Sequence, residues 1–124
     1  MGSANTAAIK ARMTAGSVAS SSYAAGMASA YTGGGLTDWF LPSKDELNAM
    51  CNYSRTWTGT PSTLACTGLQ NDAFAAGTYG FASVYYWSSS EAISVVAWNR
   101  YFGNGGQGND VKTSTLRVRP VRSY

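Results

Sequence analysis

Tyr85-Tyr86-Trp87-Ser88-Ser89-Ser90-Glu91 and Arg117-Val118-Arg119-Pro120-Val121-Arg122 bracket the C-terminal third of the chain. Both stretches are dense in aromatic, β-branched and arginine residues, which suit a half-buried sheet. Between them runs a segment of Gly, Asn, Ser and Thr, interrupted by Ala97-Trp98, Phe102, Gln107 and Lys112. A frame of bulky side chains thus alternates with permissive positions. Strands are expected near Tyr85–Ser88, Val95–Phe102, Asp110–Thr113 and Leu116–Val121, with a turn-rich connection from Gly103 to Gly108.

Upstream, the pattern changes from strand to helix. Asn5-Thr6 can cap a short helix that sets Ile9 and Met13 on one face and ends at Gly16. A second helix is expected from about Val18 to Tyr31, closed by Gly33-Gly34-Gly35. Asp38-Trp39-Phe40-Leu41-Pro42 reads as a short extended segment. Ser43-Lys44-Asp45-Glu46 is a capping box, with Leu47, Met50 and Cys51 as the buried stripe of the helix it opens. Asn52 to Gly77 is loop-like, with one or two helical turns expected over Gln70–Ala76. Cys51 and Cys66 flank part of that loop. Two readings stay open: a disulfide, which would contribute about 3 kcal/mol, or two buried thiols. Helices early and strands late predict an α+β fold, with two or three helices packed on a mainly antiparallel, twisted sheet.

A chain of 124 residues is expected to form one domain spanning 1–124. Hydrophobic residues make up 44% and charged residues only 12%, a composition that argues against disorder. Net charge is +3, and Arg100, Lys112, Arg117, Arg119 and Arg122 fall in the last quarter. They are spaced singly, without a cluster, so no nucleic-acid partner is expected; pairing with carboxylates such as Glu91 or Asp38 is the better reading. No apolar run reaches the roughly 20 residues of a membrane helix, so no membrane insertion is expected. Met1 to Ala8 lacks the pattern of a secretory leader, and Met1-Gly2-Ser3 reads as a cloning remnant. The chain reads as the C-terminal domain of a longer protein. A cell-surface or virion location would then be set by the missing parts.

Taken in order, Asn5-Thr6, Tyr31-Thr32-Gly33-Gly34-Gly35, Asp38 through Leu47, Tyr86 through Glu91, Ala97-Trp98, Phe102, Gln107, Lys112 and Val118-Arg119-Pro120-Val121-Arg122 form a specific set. They resemble the bacterial and phage domain found at the C-terminus of the collagen-like adhesin Lcl and in paralogous surface proteins of the Fibrobacter major paralogous type. The resemblance covers almost the whole chain and implies a C-type lectin fold. A subset of that family is similar to the variable proteins of diversity-generating retroelements, whose C-terminal region is rewritten by error-prone copying at template adenines. Asparagine codons rewritten in this way cannot yield Lys, Glu, Gln, Met or Trp. Between Ala92 and Leu116 those types occur only at Trp98, Gln107 and Lys112, all frame positions of the family. A Gly/Ser/Asn-rich loop would also lack Lys and Glu, so the pattern supports diversification of 92–116 without requiring it.

On that resemblance, the candidate variable, ligand-binding positions are Ala92, Ile93, Ser94, Val96, Asn99, Arg100, Tyr101, Gly103, Asn104, Gly108, Asn109, Asp110, Thr113 and Thr115. Tyr101 would be a rigid aromatic anchor, Arg100 a charged or stacking contact, and the amides adaptable hydrogen-bonding groups. Trp39, Trp87, Trp98, Phe102, Gln107, Lys112, Arg119 and Arg122 would hold the backbone. Ile93, Val95 and Val96 form an apolar cluster in which Ile93 is the best candidate for exposure. Val95 and Val96 are open between burial and display. Partners would be a protein or glycan ligand on a cell or phage-host surface.

Catalysis is not expected. Ser88-Ser89-Ser90 has no histidine to activate it, because the chain contains none. Asp45 and Glu46 are explained by the helix N-terminus rather than by glycoside chemistry. Calcium prefers several charged oxygen ligands, Trp98-Asn99 is followed by Arg100 rather than Asp, and no Glu-Pro-Asn-like motif exists. No metal or cofactor is therefore expected. Two rivals remain: a fixed Lcl-type adhesin domain binding an anionic glycan, and a relative of the formylglycine-generating enzyme, which shares the fold and would need reactive cysteines.

Overall fold

The computed structural model of the chain describes residues 1–55, 65–67 and 80–123. The helical turns expected over Gln70–Ala76, and most of the Asn52–Gly77 loop, lie outside the described residues. Helix α1 spans Gly2–Ala15, α2 Ala24–Ala30 and α3 Lys44–Arg55; strands β1, β2 and β3 span Tyr85–Ile93, Val96–Tyr101 and Gln107–Val111. The architecture is α+β: among the described residues, three α-helices and a three-stranded antiparallel sheet in the order β1-β2-β3.

The capping box forms as its sequence dictates. Glu46 N–H donates to Ser43 Oγ at 3.3 Å, and Ser43 N–H donates to Glu46 Oε2 at 2.7 Å. The same Glu46 oxygen accepts from the Gly2 amide at 3.0 Å, one of the unpaired donors at the start of α1. Gly2 is buried, so a residue expected to belong to a dispensable remnant is seated in the fold. Asn5-Thr6 does not cap α1 but lies inside it. Thr6 Oγ1 accepts from Leu41 N–H at 3.0 Å and donates to Leu41 C=O at 3.3 Å, standing in for a strand partner of that extended segment.

The second helix is shorter than expected. Ser20–Ser22 form a 3₁₀ turn, Tyr23 is extended, and only Ala24–Ala30 is α-helical. Serine hydroxyls compete with the helical backbone, which accounts for the break.

Strands β1 and β2 pair with Tyr85 opposite Tyr101, Tyr86 opposite Arg100 and Trp87 opposite Asn99. The register then shifts twice before Ile93 meets Val96. At this irregularity Ser88 Oγ donates to Trp98 C=O at 2.8 Å and accepts from Ser90 N–H at 3.2 Å. Ser90 Oγ accepts from Lys44 N–H, and Ser89 N–H donates to Pro42 C=O. The serine triplet thus fastens β1 to the start of α3. The expected strand over Leu116–Val121 makes only two isolated bridges, Arg117 with Tyr86 and Val121 with Phe40.

Residues facing one another across paired strands share a face, and successive residues along a strand do not. Tyr86 and Phe102 therefore project to one side, where they pack with Leu47, Cys51, Cys66 and Phe81 beneath α3. Trp87 projects to the other, against Ala25, Ala28 and Leu41, with Ile9, Leu116 and Val118 around them. Each large apolar side chain buried here stabilises the fold by about 1.5–3 kcal/mol. A disulfide joins Cys51 on α3 to Cys66, which resolves the two readings of the cysteines.

Candidate ligand-binding surface

The candidate variable positions separate into two exposed ends with a buried middle. Strand β2 runs from Val96 to Tyr101, a rise of about 17 Å at ~3.4 Å per residue. At one end lie Ile93, Val95 and Val111, exposed by 59%, 60% and 48%. Ser94, Thr113 and Thr115 are exposed beside them, Ala92 and Val96 half-buried. Val96 pairs with both Ile93 and Val111, so these three share a face. At the other end lie Tyr101, Gly103, Asn104 and Gly108. Asn109 and Asp110 are exposed along β3. Ile93, Asn99, Tyr101, Asn104 and Asp110 therefore do not form one patch.

Two assignments are corrected. Asn99 and Arg100 were expected on display, yet each is only 3% exposed. The cause is that both faces of β2 are covered at this point. Asn99 lies on the Trp87 side and Arg100 on the Tyr86 side. Arg100 donates from Nη1 to Gly105 C=O and from Nη2 to Gln107 Oε1, each at 2.8 Å. It thereby closes the Gly103–Gly106 turn from beneath. Burial, and secondarily the charge of Arg55, hold its pKa below the ordinary arginine value.

Most of the residues expected to form the frame are buried or bonded internally. Trp87 and Phe102 are buried. Trp98 is half-buried, with Lys44 Nζ 5.3 Å from its ring centroid. Lys112 Nζ bonds Glu91 and Ser94 C=O. Gln107 is exposed, but its Oε1 is the acceptor for Arg100. Arg119 donates to Gly80 C=O and sits 4.6 Å over the Phe81 ring. Arg122 grips both Asp38 oxygens, at 2.8–3.2 Å, and holds that carboxyl below its ordinary pKa of 3.8. Trp39 is half-buried, edge-on to Tyr31 at 5.0 Å. Arg55 was not singled out from sequence. It donates to Phe102 C=O and Ser54 Oγ. Its place in the last turn of α3, after an amphipathic stripe, was the available signal.

Beside the turn is a depression of about 160 Å³, lined by Tyr85, Tyr101, Asn104, Gly106, Gln107 and Gly108. The Tyr85 and Tyr101 rings stand 4.8 Å apart, tilted by 36°. Tyr85 was not among the candidate positions. It is 47% exposed, and its place directly opposite Tyr101 follows from the pairing register. Asn104 Oδ1 accepts from Gly106 N–H at 2.9 Å and shapes the rim. Among the described residues, no group of three or more His, Cys, Asp or Glu side chains is placed to hold a metal ion.

An α+β domain with helices on both sides of a short antiparallel sheet, and exposed loops at its ends, is compatible with a C-type-lectin-like fold. The chain belongs to the Lcl C-terminal domain family, whose family model matches residues 4–122. No curated protein and no solved structure matches it.

Proposed function

We propose that this is a ligand-binding domain, the variable protein of a diversity-generating retroelement, that recognises a protein or glycan on a cell or phage-host surface without catalysis. The observation that carries the reading is how the C-terminal segment is held. Side chains grip it by its carbonyl groups: Ser88 at Trp98, Lys112 at Ser94, Arg55 at Phe102 and Arg100 at Gly105. Main-chain acceptors survive any change of the side chains beside them, so a position such as 94 can vary without loosening the frame. The displayed positions are those at the two ends of β2. Arg100 belongs to the support, and diversification there would be felt in stability.

The anionic-glycan reading draws less support. Arg100, Lys112, Arg119 and Arg122 all make internal bonds, which uses much of the positive charge a polyanion would meet. An enzyme of the formylglycine-generating kind would need a reactive thiol, whereas both cysteines are bonded to each other and buried.

The test is genomic. DNA flanking the coding sequence is expected to contain a near-identical repeat of the 92–116 segment, differing at template adenines, beside a reverse transcriptase. Its absence, with the same residues recurring at 93, 94, 101 and 104 in sister isolates, would leave a fixed adhesin domain.

A further inference from the structure

Resting on the reading of this sheet as a ligand-binding surface, we propose that the depression at Tyr85, Tyr101 and Gly108 is a subsite for a neutral pyranose ring, with Asn99 Oδ1 as its buried acceptor. Asn99 is 3% exposed, and its Oδ1 accepts no hydrogen bond among the described residues. Buried acceptors of this kind are uncommon in native chains and call for a reason. The residue opposite Asn99 on β3 is Gly108. A Cβ on Gly108 would stand 3.1 Å from Asn99 Oδ1. The oxygen therefore faces the space that a side chain at 108 would fill, and Gly108 is one wall of the depression.

The rim has the complementary polarity. Asn104 Oδ1 is committed to Gly106 N–H, which leaves its NH₂ group as the donor at the rim. An acceptor behind Gly108 and an amide donor at the rim match hydroxyl groups, which donate one bond and accept two. The tilted tyrosine pair offers an apolar face for the C–H side of a sugar ring.

Among the described residues, no Lys, Arg, Asp or Glu lines the depression. The guanidinium of Arg100 lies on the opposite face of the strand, closed by its own acceptors. The ligand is accordingly uncharged, and its binding insensitive to salt. An extended peptide shares the donor and acceptor chemistry, but the compact basin favours a ring.

The test is a titration of the ¹⁵N-labelled full chain with methyl α-D-mannopyranoside, methyl α-D-glucopyranoside and methyl β-D-galactopyranoside, followed by NMR. Saturable shifts of the Asn99 and Asn104 side-chain amides and the Gly108 amide are expected for at least one glycoside, unchanged at high salt. Gly108→Ser fills the space before Oδ1 and is expected to weaken binding at least about tenfold, as loss of a buried hydrogen bond would. Asn99→Leu is expected to abolish the shifts while leaving the melting temperature unchanged or raised, which a purely structural asparagine would not do.

Failure of every glycoside to shift Asn99 and Gly108 overturns the inference. So do shifts produced only by a blocked Gly-Ser-Gly peptide, or only by a sulfated heparin disaccharide. These failures leave the broader reading to its own genomic test, which does not depend on any sugar.

Discussion

Replacing Arg100 separates the two roles it has been given. A displayed arginine would leave stability within about 0.5 kcal/mol on mutation. A buried one behaves otherwise, and its contributions can be worked out in turn. Arg100→Ala removes two charge-assisted hydrogen bonds, to Gly105 C=O and Gln107 Oε1, each contributing roughly 1.5–3 kcal/mol. It also removes two methylenes of stem packing, about 1.6 kcal/mol at ~0.8 each. Against this stands relief from burying a cation that bonds only neutral acceptors and is disfavoured by Arg55, a penalty of several kcal/mol.

The balance is a loss of about 2–4 kcal/mol, or roughly 8–16 °C in melting temperature for a domain of this size. Arg100→Met keeps the stem and removes the charge, and is expected within about 1 kcal/mol of the native chain. Arg100→Lys keeps the charge but cannot span both acceptors, and is expected to be the worse of those two. Urea unfolding followed by tryptophan fluorescence, under non-reducing conditions, measures all three. A lysine variant more stable than the methionine variant, or an alanine variant equal to the native chain, would mean that the guanidinium is solvated and the argument from burial wrong.

Three further outcomes are expected. Gly105 has φ +82°, and a Cβ there would lie 2.7 Å from Cys66 C=O, whereas Gly35 has φ +72° with nothing within 4 Å. Gly35→Ala should therefore cost only the backbone strain, about 1–2 kcal/mol, and Gly105→Ala a further ~1–3 kcal/mol of overpacking; equal losses in chemical denaturation would contradict the contact. Removing the Cys51–Cys66 link by the double Ser substitution should cost about 3 kcal/mol. Because Cys66 abuts Gly105, it should also speed hydrogen exchange at the Gly105 and Gly106 amides; unchanged exchange would uncouple the disulfide from the turn. Asp38 has a folded pKa below its ordinary 3.8, so the unfolded chain takes up the proton first as pH falls. Its contribution is whole above that value and drains away below it; the difference in stability between native and Asp38→Asn chains should vanish in the acid limb, and a constant difference down to pH ~2 would refute the pairing.

Much of the fold was legible because its signals are local. The Ser43–Glu46 box needs only four residues to satisfy the first turn of α3, and the structure forms it as written. The aromatic frame was legible because Trp87 and Phe102 have few places to go but the core. Helix α2 was misjudged in length because three serines weaken a helix by competition that a count of apolar positions does not register. Strand β3 begins at Gln107, earlier than expected, because pairing to Arg100, rather than the propensity of a Gln-Gly-Asn-Asp run, places it there.

By its own pattern, then, the chain determined the order of helices and strands, the cap of α3 and the bulky side chains that form the core. What faces solvent was decided only in three dimensions. Alternation assigns Asn99 and Arg100 to opposite faces of β2, but it does not say that both faces are covered there. That depends on Ala25, Ala28 and Leu41 packing on the Trp87 side and Leu47, Cys51 and Phe81 on the Tyr86–Phe102 side, groups that reach the sheet from separate parts of the chain. The buried acceptor of Asn99 arises in the same way: it faces Gly108 because two strands happen to pair at that register, a neighbour no local run of residues specifies.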